Sequence, residues 1–321
     1  MTVAIKRQLA VAIDLNKCLG CQTCTLACKK LWTKDKGQET MYWANVETRP
    51  GVGYPRSWFD MGVKVPNRDE LGEPWTYDLK KRLYDGVQGP TSPKPRSDWG
   101  VNWDEDQGDG EFPNAYYFYL PRTCNHCDKP ACLEACPQKA IYKREEDGLV
   151  IIDQSKCTGS RRCIGTCPYK KVYFNPVIEK AEKCIGCFPR TEKGVPYACA
   201  ATCPGRVQRV GNILDPNGAV HKLVKKWKVA LPLMPDSGTE PNVFYVPPLS
   251  PPREDEQGRP LAESKIPIEY LEMLFGDGVK KALDTLATER DKKRQGEDSE
   301  LMDLLIAPTQ ADLFDLGSPA L

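Results

Sequence analysis

Two stretches of this chain share one pattern of apolar and polar positions. Ala10-Val-Ala-Ile13 and Leu149-Val-Ile-Ile152 are short apolar runs, and each leads into Asp-x-x-Lys-Cys, at Asp14–Cys18 and Asp153–Cys157. Runs of this length predict strands rather than helices. The second copy follows Ala140-Ile-Tyr-Lys143 and a turn at Asp147-Gly148, which predicts a hairpin. Further along, Leu231–Leu233 and Val243–Pro248 read as extended. Ile268–Phe275 is helical in pattern, and Val279–Lys292 predicts an amphipathic helix with Val279, Ala282, Leu283 and Leu286 on one face. A last short helix is predicted over Ser299–Ile306.

Between Thr33 and Tyr119 no such period is visible. This stretch holds Trp43, Trp58, Trp75, Trp99 and Trp103, five of the seven tryptophans, among many prolines and glycines. It reads as an irregular insertion held by aromatic packing and by a partner chain. A self-contained surface loop of this length is uncommon without a function or a support.

Composition narrows the classes. In 321 residues only 40% are hydrophobic, with 25 Gly and 28 Pro, so a large conventional apolar core is not expected. The net charge of +1 offers no basic field for nucleic acid. No apolar stretch approaches the length that spans a bilayer. Met1–Arg7 lacks the apolar run of a signal peptide.

The chemistry lies in the fifteen cysteines, set against two histidines. They fall into four groups: Cys18, Cys21, Cys24, Cys28; Cys124, Cys127, Cys132, Cys136; Cys157, Cys163, Cys167; and Cys184, Cys187, Cys199, Cys203. Each group is the two-cluster ferredoxin run or a variant of it. In such a run the first three thiolates hold one cubane and the fourth serves its neighbour. Three groups end in Cys-Pro (Cys136-Pro137, Cys167-Pro168, Cys203-Pro204), where proline fixes the backbone leaving the site.

Groups of this kind work in pairs. Proximity pairs the second with the third, giving Cys124, Cys127, Cys132 and Cys167 to one [4Fe-4S] cluster. Cys136, Cys157 and Cys163 remain together, with Ser160 where a fourth cysteine would stand. Three thiolates suit a [3Fe-4S] cluster; a Ser160 hydroxyl completing a cubane is the alternative. By elimination the first group pairs with the fourth. Cys18, Cys21, Cys24 and Cys203 hold one [4Fe-4S] cluster, and Cys28, Cys184, Cys187 and Cys199 another. Tetrahedral zinc fits three cysteines within Cys18–Cys24 poorly, and a disulfide framework fails on the odd count. His126 reads as a loop residue rather than a ligand, and His221 lies far from any Rieske pattern.

The fold class that follows is α+β: tandem ferredoxin-like modules around paired clusters. Residues 1–32 with 177–215 form the first module and 120–176 the second. Residues 33–119 form the insertion, and 216–321 an extended and helical arm for docking on a partner or packing back on the chain. Lys29, Lys30, Arg122, Arg161, Arg162, Lys170, Lys171, Lys183 and Arg190 flank the ligands, and some of them raise cluster potentials. No dinucleotide fingerprint, nucleophile–base set or paired-carboxylate site is legible, so no catalytic residue is assigned and the chain reads as a wire.

Six segments carry a resemblance to a known family. They are Asp14-Leu-Asn-Lys-Cys18 through Cys28, Tyr42-Trp43-x-Asn45-Val-Glu-Thr48, Asn102-Trp-Asp-Glu-Asp106, Cys124-Asn-His-Cys127, Lys183–Arg190 and Gly238–Pro248. Together they resemble the iron–sulfur beta subunit of dimethyl sulfoxide reductase-family molybdoenzymes. The nearer group is that of ethylbenzene and dimethylsulfide dehydrogenases and selenate, chlorate and perchlorate reductases. The resemblance implies an alpha subunit with a bis-molybdopterin guanine dinucleotide molybdenum site and a further [4Fe-4S] cluster, and a gamma subunit with heme b. It implies that the Cys18–Cys24 cluster faces alpha and the three-iron cluster faces heme. A non-cysteine at Ser160 is within the family pattern. Periplasmic location, by folded export with a twin-arginine alpha subunit, is implied too, with a cytoplasmic enzyme as the alternative. Cys28–Thr33 and Asn102–Gly108 look nearest to ethylbenzene dehydrogenase, which favours a hydrocarbon dehydrogenase over an oxyanion reductase. A free-standing polyferredoxin and a beta subunit of another oxidoreductase are the competing readings.

Overall fold

The computed structural model describes residues 5–51, 53–55, 58–60 and 108–316. In chain order the strands are β1 (Leu9–Asp14), β2 (Asn45–Arg49), β3 (Phe118–Arg122), β4 (Ile141–Lys143), β5 (Val150–Ile152), β6 (Val172–Asn175) and β7 (Lys180–Lys183). They continue as β8 (Gln208–Asn212), β9 (Leu231–Pro232), β10 (Val243–Val246), β11 (Pro252–Glu254), β12 (Pro260–Ser264) and β13 (Phe314–Asp315). The helices are α1 (Thr23–Trp32), α2 (Ala131–Glu134), α3 (Arg162–Thr166), α4 (Phe188–Thr191), α5 (Ala198–Ala201), α6 (Ala219–His221), α7 (Ile268–Phe275), α8 (Val279–Arg294) and α9 (Glu300–Ile306).

Each cysteine loop is fed by one antiparallel strand pair. β8 pairs with β1, which runs into Cys18; β2 with β3, into Cys124; β4 with β5, into Cys157; β6 with β7, into Cys184. The three Cys-Pro exits obey one rule. Pro137, Pro168 and Pro204 each stand four positions before a strand, at Ile141, Val172 and Gln208. Proline cannot donate to a ladder, so it sits in the turn and the strand starts beyond it.

The loops also share a backbone bend. The second residue after each opening cysteine is left-handed: Gly20 at φ 65°, His126 at 43°, Gly159 at 71° and Gly186 at 60°. Glycine carries this conformation without strain; a Cβ at Gly186 would stand 2.6 Å from Leu149 Cδ1. Helix α1 packs on α5 and α2 on α3, so the helices of the first and fourth cysteine groups meet, as do those of the second and third. Ala198 and Ala200 are both buried, and their small side chains allow the close approach of α1 to α5.

A mixed sheet in the order β13-β8-β1-β10-β9 lies behind these loops. Successive side chains of a strand point to opposite faces. Leu9, Val11, Ile13, Val243 and Tyr245 join the cysteine-side core, whereas Ala10, Ala12, Phe244 and Val246 join a second core. That second core is filled by Val220, Leu223, Ala282, Leu286, Leu301 and Leu305 from the C-terminal part.

Residues 216–316 therefore fold back on their own chain. Their strand β10 lies beside β1 in parallel register, Val11 opposite Val243, and Leu271, Leu274, Phe275 and Val279 are buried. The docking arm expected for this part is corrected in one respect. Its principal apolar faces are taken up by the sheet, because β1 is apolar on both sides and needs cover on both.

The insertion is more regular at its start than its composition suggests. Asn45–Arg49 is strand β2, and Trp43 and Trp58 are buried against this chain rather than held for a partner. Trp75, Trp99 and Trp103, and the family segment Asn102–Asp106, lie outside the described residues. Among the described residues no helix is long and apolar enough to cross a membrane.

Candidate metal centres

The fifteen cysteines gather from distant parts of the chain into sets. Cys18, Cys21, Cys24 and Cys203 line one cavity with Gln22, Pro121 and Pro204. Cys28, Cys184, Cys187 and Cys199 line another, walled by Leu9, Val11, Trp32, Trp43 and His126. Cys136, Cys157 and Cys163 line a third, and Ser160 is in its wall. Cys127 and Cys132 are electrostatic neighbours of Cys124 and Cys167, which completes a fourth set. One relation is invisible in the spacing. Cys124 also borders the cavity of Cys28, Cys184, Cys187 and Cys199, so its loop touches two sets.

No three His, Cys, Asp or Glu side chains among the described residues converge tightly enough for a single metal ion. Tetrahedral zinc needs its sulfurs about 2.3 Å from one point. The thiols instead ring open spaces, as thiolates that hold the corners of a multi-iron cluster must. All fifteen cysteines are free of disulfides, and thiolate is the donor iron–sulfur clusters require.

The loops aim N–H groups at sulfur. Ala140 donates to Cys136 Sγ at 3.3 Å, Gly186 to Cys184 Sγ at 3.4 Å and Ala181 to Cys157 Sγ at 3.5 Å. The indole Nε1 of Trp32 donates to Cys187 Sγ at 3.2 Å. Such bonds delocalise negative charge from thiolates and raise a cluster's potential. Gln22, left-handed at φ 58°, ties its loop to β2: its Nε2 donates to Val46 O at 2.8 Å and its Oε1 accepts from Val46 N at 3.2 Å. Arg161, at φ 61°, occupies the matching place one residue after Ser160. Ser160 thus stands on the same loop geometry as Cys21. Cysteine spacing carries no sign of Gln22 or of the N–H donors, and the sign of Trp32 in the sequence is a tryptophan four positions after Cys28.

Burial controls the thiols. It pushes Cys18 up to about 12, with Cys24, Cys203 and Cys21 adding to it, and Cys24 up to about 11, with Cys203 adding. Burial with Cys157 and Cys136 nearby raises Cys163 to about 12; burial with Cys124 and Cys187 nearby raises Cys184 to about 11. Cys21, exposed, is instead lowered by the hydroxyl and backbone of Thr23.

Of the cations expected near the ligands, Arg122, Lys170, Lys171 and Lys183 are buried. Burial works against the Lys183 ammonium, but Cys124, Cys132 and Cys184 outweigh it and raise its pKa. Lys171 is driven well below the usual amine range by burial and by Arg122. Lys29 donates to the carbonyls of Gln38, Glu39 and Met41, Arg190 Nε to Pro196 O at 3.0 Å, and Arg161 lies 3.9 Å over the Phe174 ring. Lys29 also lies near Cys28, and Arg190 near Cys187, whose thiol it favours as thiolate. Lys30 is exposed and Arg162 half-buried. His126 is no ligand in this geometry: its Nδ1 accepts from Val150 N at 3.0 Å, and burial beside Lys183 and Lys143 keeps the ring neutral.

Comparison with known proteins agrees with this geometry. A family model described as a 4Fe-4S dicluster domain matches residues 115–213. The chain is 53% identical to the beta subunit of dimethylsulfide dehydrogenase from Rhodovulum sulfidophilum, over 98% of this chain and 100% of that one. It is 55% identical to the perchlorate reductase beta subunit of Dechloromonas aromatica, over 97% of both chains. It is 54% identical to the selenate reductase beta subunit of Thauera selenatis, over 97% of this chain and 99% of that one. With near-complete coverage at such identities, the chain belongs to the family of iron–sulfur beta subunits of dimethyl sulfoxide reductase-type molybdoenzymes, whose role is electron transfer.

Proposed function

We propose that this chain relays electrons through three [4Fe-4S] clusters and one [3Fe-4S] cluster between a molybdenum-bearing alpha subunit and a heme b gamma subunit. Cys18, Cys21, Cys24 and Cys203 hold the first four-iron cluster, and Cys28, Cys184, Cys187 and Cys199 the second. Cys124, Cys127, Cys132 and Cys167 hold the third. Cys136, Cys157 and Cys163 hold the three-iron cluster, with Ser160 at the open corner. The observation that carries this reading is long-range convergence: Cys203 shares one cavity with Cys18, Cys21 and Cys24, and Cys28 shares another with Cys184, Cys187 and Cys199. The packing of α1 on α5 and of α2 on α3 supports two ferredoxin-like modules, the first discontinuous in sequence.

Bound clusters supply one-electron redox chemistry. The chain supplies spacing, dry walls such as Leu9, Val11 and Leu149, N–H donors to sulfur and buried cations. Cys21 is the exposed ligand of its set, and exposed Leu19 shares its cavity wall, which supports entry from the alpha subunit at this end. At the three-iron set, exposed Val177 and Ile178 form the turn between β6 and β7, a surface suited to the gamma subunit.

The complex is proposed as a dehydrogenase of a hydrocarbon, on the look of Cys28–Thr33, and as periplasmic, exported folded with its alpha subunit. Near-equal identity to a sulfide dehydrogenase and to oxyanion reductases is also compatible with flow in the reductase direction. The test is isolation of the native complex. Co-purification with a molybdenum subunit and heme b is the expected result. Isolation as a lone, stable polyferredoxin would overturn it.

A further inference from the structure

The seam between the sets of Cys124 and Cys184 contains an exchange of side chains. His126 belongs to the Cys124–Cys127 loop, yet it lines the cavity of Cys28, Cys184, Cys187 and Cys199. Its position is strained for a residue with a Cβ, φ 43°, where the other three loops have glycine. Asn242 Nδ2 holds the His126 carbonyl at 3.0 Å, and Val150 N donates to Nδ1 at 3.0 Å. Because Nδ1 accepts, the ring proton is on Nε2. That Nε2 is buried without a partner among the described residues, as are Trp43 Nε1 and Asn125 Nδ2 in the same wall. A buried donor left unmade is costly, and natural proteins place acceptors against such groups.

Lys183 makes the opposite crossing. It precedes Cys184, its ammonium donates to Val150 O and to Cys184 O, and Cys124 and Cys132 of the other set are its electrostatic neighbours. Val150 is the shared pivot, its N–H fixing His126 and its carbonyl fixing Lys183.

We propose that His126 and Lys183 are reciprocal positioning residues, each set on one cluster's loop and donating a hydrogen bond to the other cluster's sulfur. Together they set the potential difference across the hop between the Cys124 and Cys184 clusters. The hop moves one electron and no atom; the proton stays on Nε2. Hydrogen bonds to cluster sulfur stabilise the reduced, more anionic state, so losing one lowers the midpoint potential.

The inference rests on the cluster assignment proposed above. Its test is a redox titration of the intact complex followed by electron paramagnetic resonance, with signals assigned through Cys199→Ser and Cys132→Ser variants. His126→Phe shifts the midpoint of the Cys28, Cys184, Cys187, Cys199 cluster negative and leaves the three-iron cluster unmoved. Lys183→Met shifts the Cys124, Cys127, Cys132, Cys167 cluster negative. His126→Gln, which keeps a donor, restores most of the first shift. If His126→Phe fails to assemble, Trp43→Phe removes one Nε1–H from the same wall and predicts a smaller negative shift of the same cluster. Unchanged midpoints in variants with full iron overturn the inference. Absence of these clusters from the wild-type complex overturns the functional reading instead.

Discussion

Arg122 Nε donates to Glu47 Oε1 at 2.7 Å, with both side chains shut away from solvent. The two residues belong to β3 and β2, and the pair fastens the start of the tryptophan-rich insertion to the strand that feeds Cys124. Trp58 Nε1 donates to Glu47 Oε2 at 2.8 Å, Tyr54 N to Oε1 at 3.0 Å, and the Arg122 guanidinium stacks 3.5 Å over the Trp58 ring. Burial raises the Glu47 pKa, but Arg122, Lys171 and these bonds outweigh it and hold the carboxyl below its usual range.

Breaking a buried pair by removing one partner costs about 3–5 kcal/mol. Glu47→Ala therefore lowers the melting temperature sharply and loosens the Cys124 loop. A folded-state pKa below the unfolded one gives stability that is full above about pH 4.3 and is lost as pH falls through the folded value. Thermal denaturation from pH 7 down to pH 3 checks this: wild type loses more stability over the acid range than Glu47→Gln.

Ser160 shares its loop geometry with Cys21, since Gly159 and Arg161 repeat the left-handed turns of Gly20 and Gln22. Ser160→Cys places a thiolate at the open corner of the Cys136, Cys157 and Cys163 cavity. The oxidised wild type is expected to show a three-iron paramagnetic signal. In the variant that signal disappears and about one further iron per chain is bound, a count checked by metal analysis.

Metal uptake is coupled to protons. Cys18 and Cys163, raised to about 12, and Cys24 and Cys184, raised to about 11, are neutral thiols near pH 7 without metal. Binding as thiolate must expel those protons, so uptake is favoured as pH rises. Reconstitution of the apo chain releases protons into weakly buffered solution and proceeds further at pH 8.5 than at pH 6.5. Chelation of the iron unfolds the cysteine side, seen as loss of protection in hydrogen exchange over residues 118–207.

The C-terminal layer is separable from the clusters. Ser299 caps α9, its Oγ accepting from Met302 N at 3.2 Å and donating to Glu289 Oε2 at 2.7 Å. Ser299→Ala costs about 1 kcal/mol of stability, the usual value of an N-cap. Cluster potentials stay where they are in wild type, which a redox titration checks.

Local pattern made much of this molecule legible. The repeat at Asp14 and Asp153 marks two strand entries, and the hairpin at Asp147-Gly148 joins β4 to β5 in register, Ile141 opposite Ile152. Helices α7, α8 and α9 follow their apolar period because one face of each is buried. Long-range pairing was harder. β1 binds β8 and β10, whose sequences lie far away, and a continuous apolar run announces two buried faces without naming what covers them. Cysteine spacing carries loop geometry but not wall chemistry. Trp32 reaches the Cys187 sulfur from α1, and Val150 on β5 fixes His126 and Lys183, roles that emerge only once the chain is folded.

The most direct test of the central claim is iron and acid-labile sulfide analysis of the intact, anaerobically purified chain, combined with paramagnetic resonance. The account predicts about fifteen irons and sixteen sulfides per chain, from three four-iron clusters and one three-iron cluster. Zinc in place of iron, or iron sufficient for only one or two clusters in fully loaded protein, would contradict it.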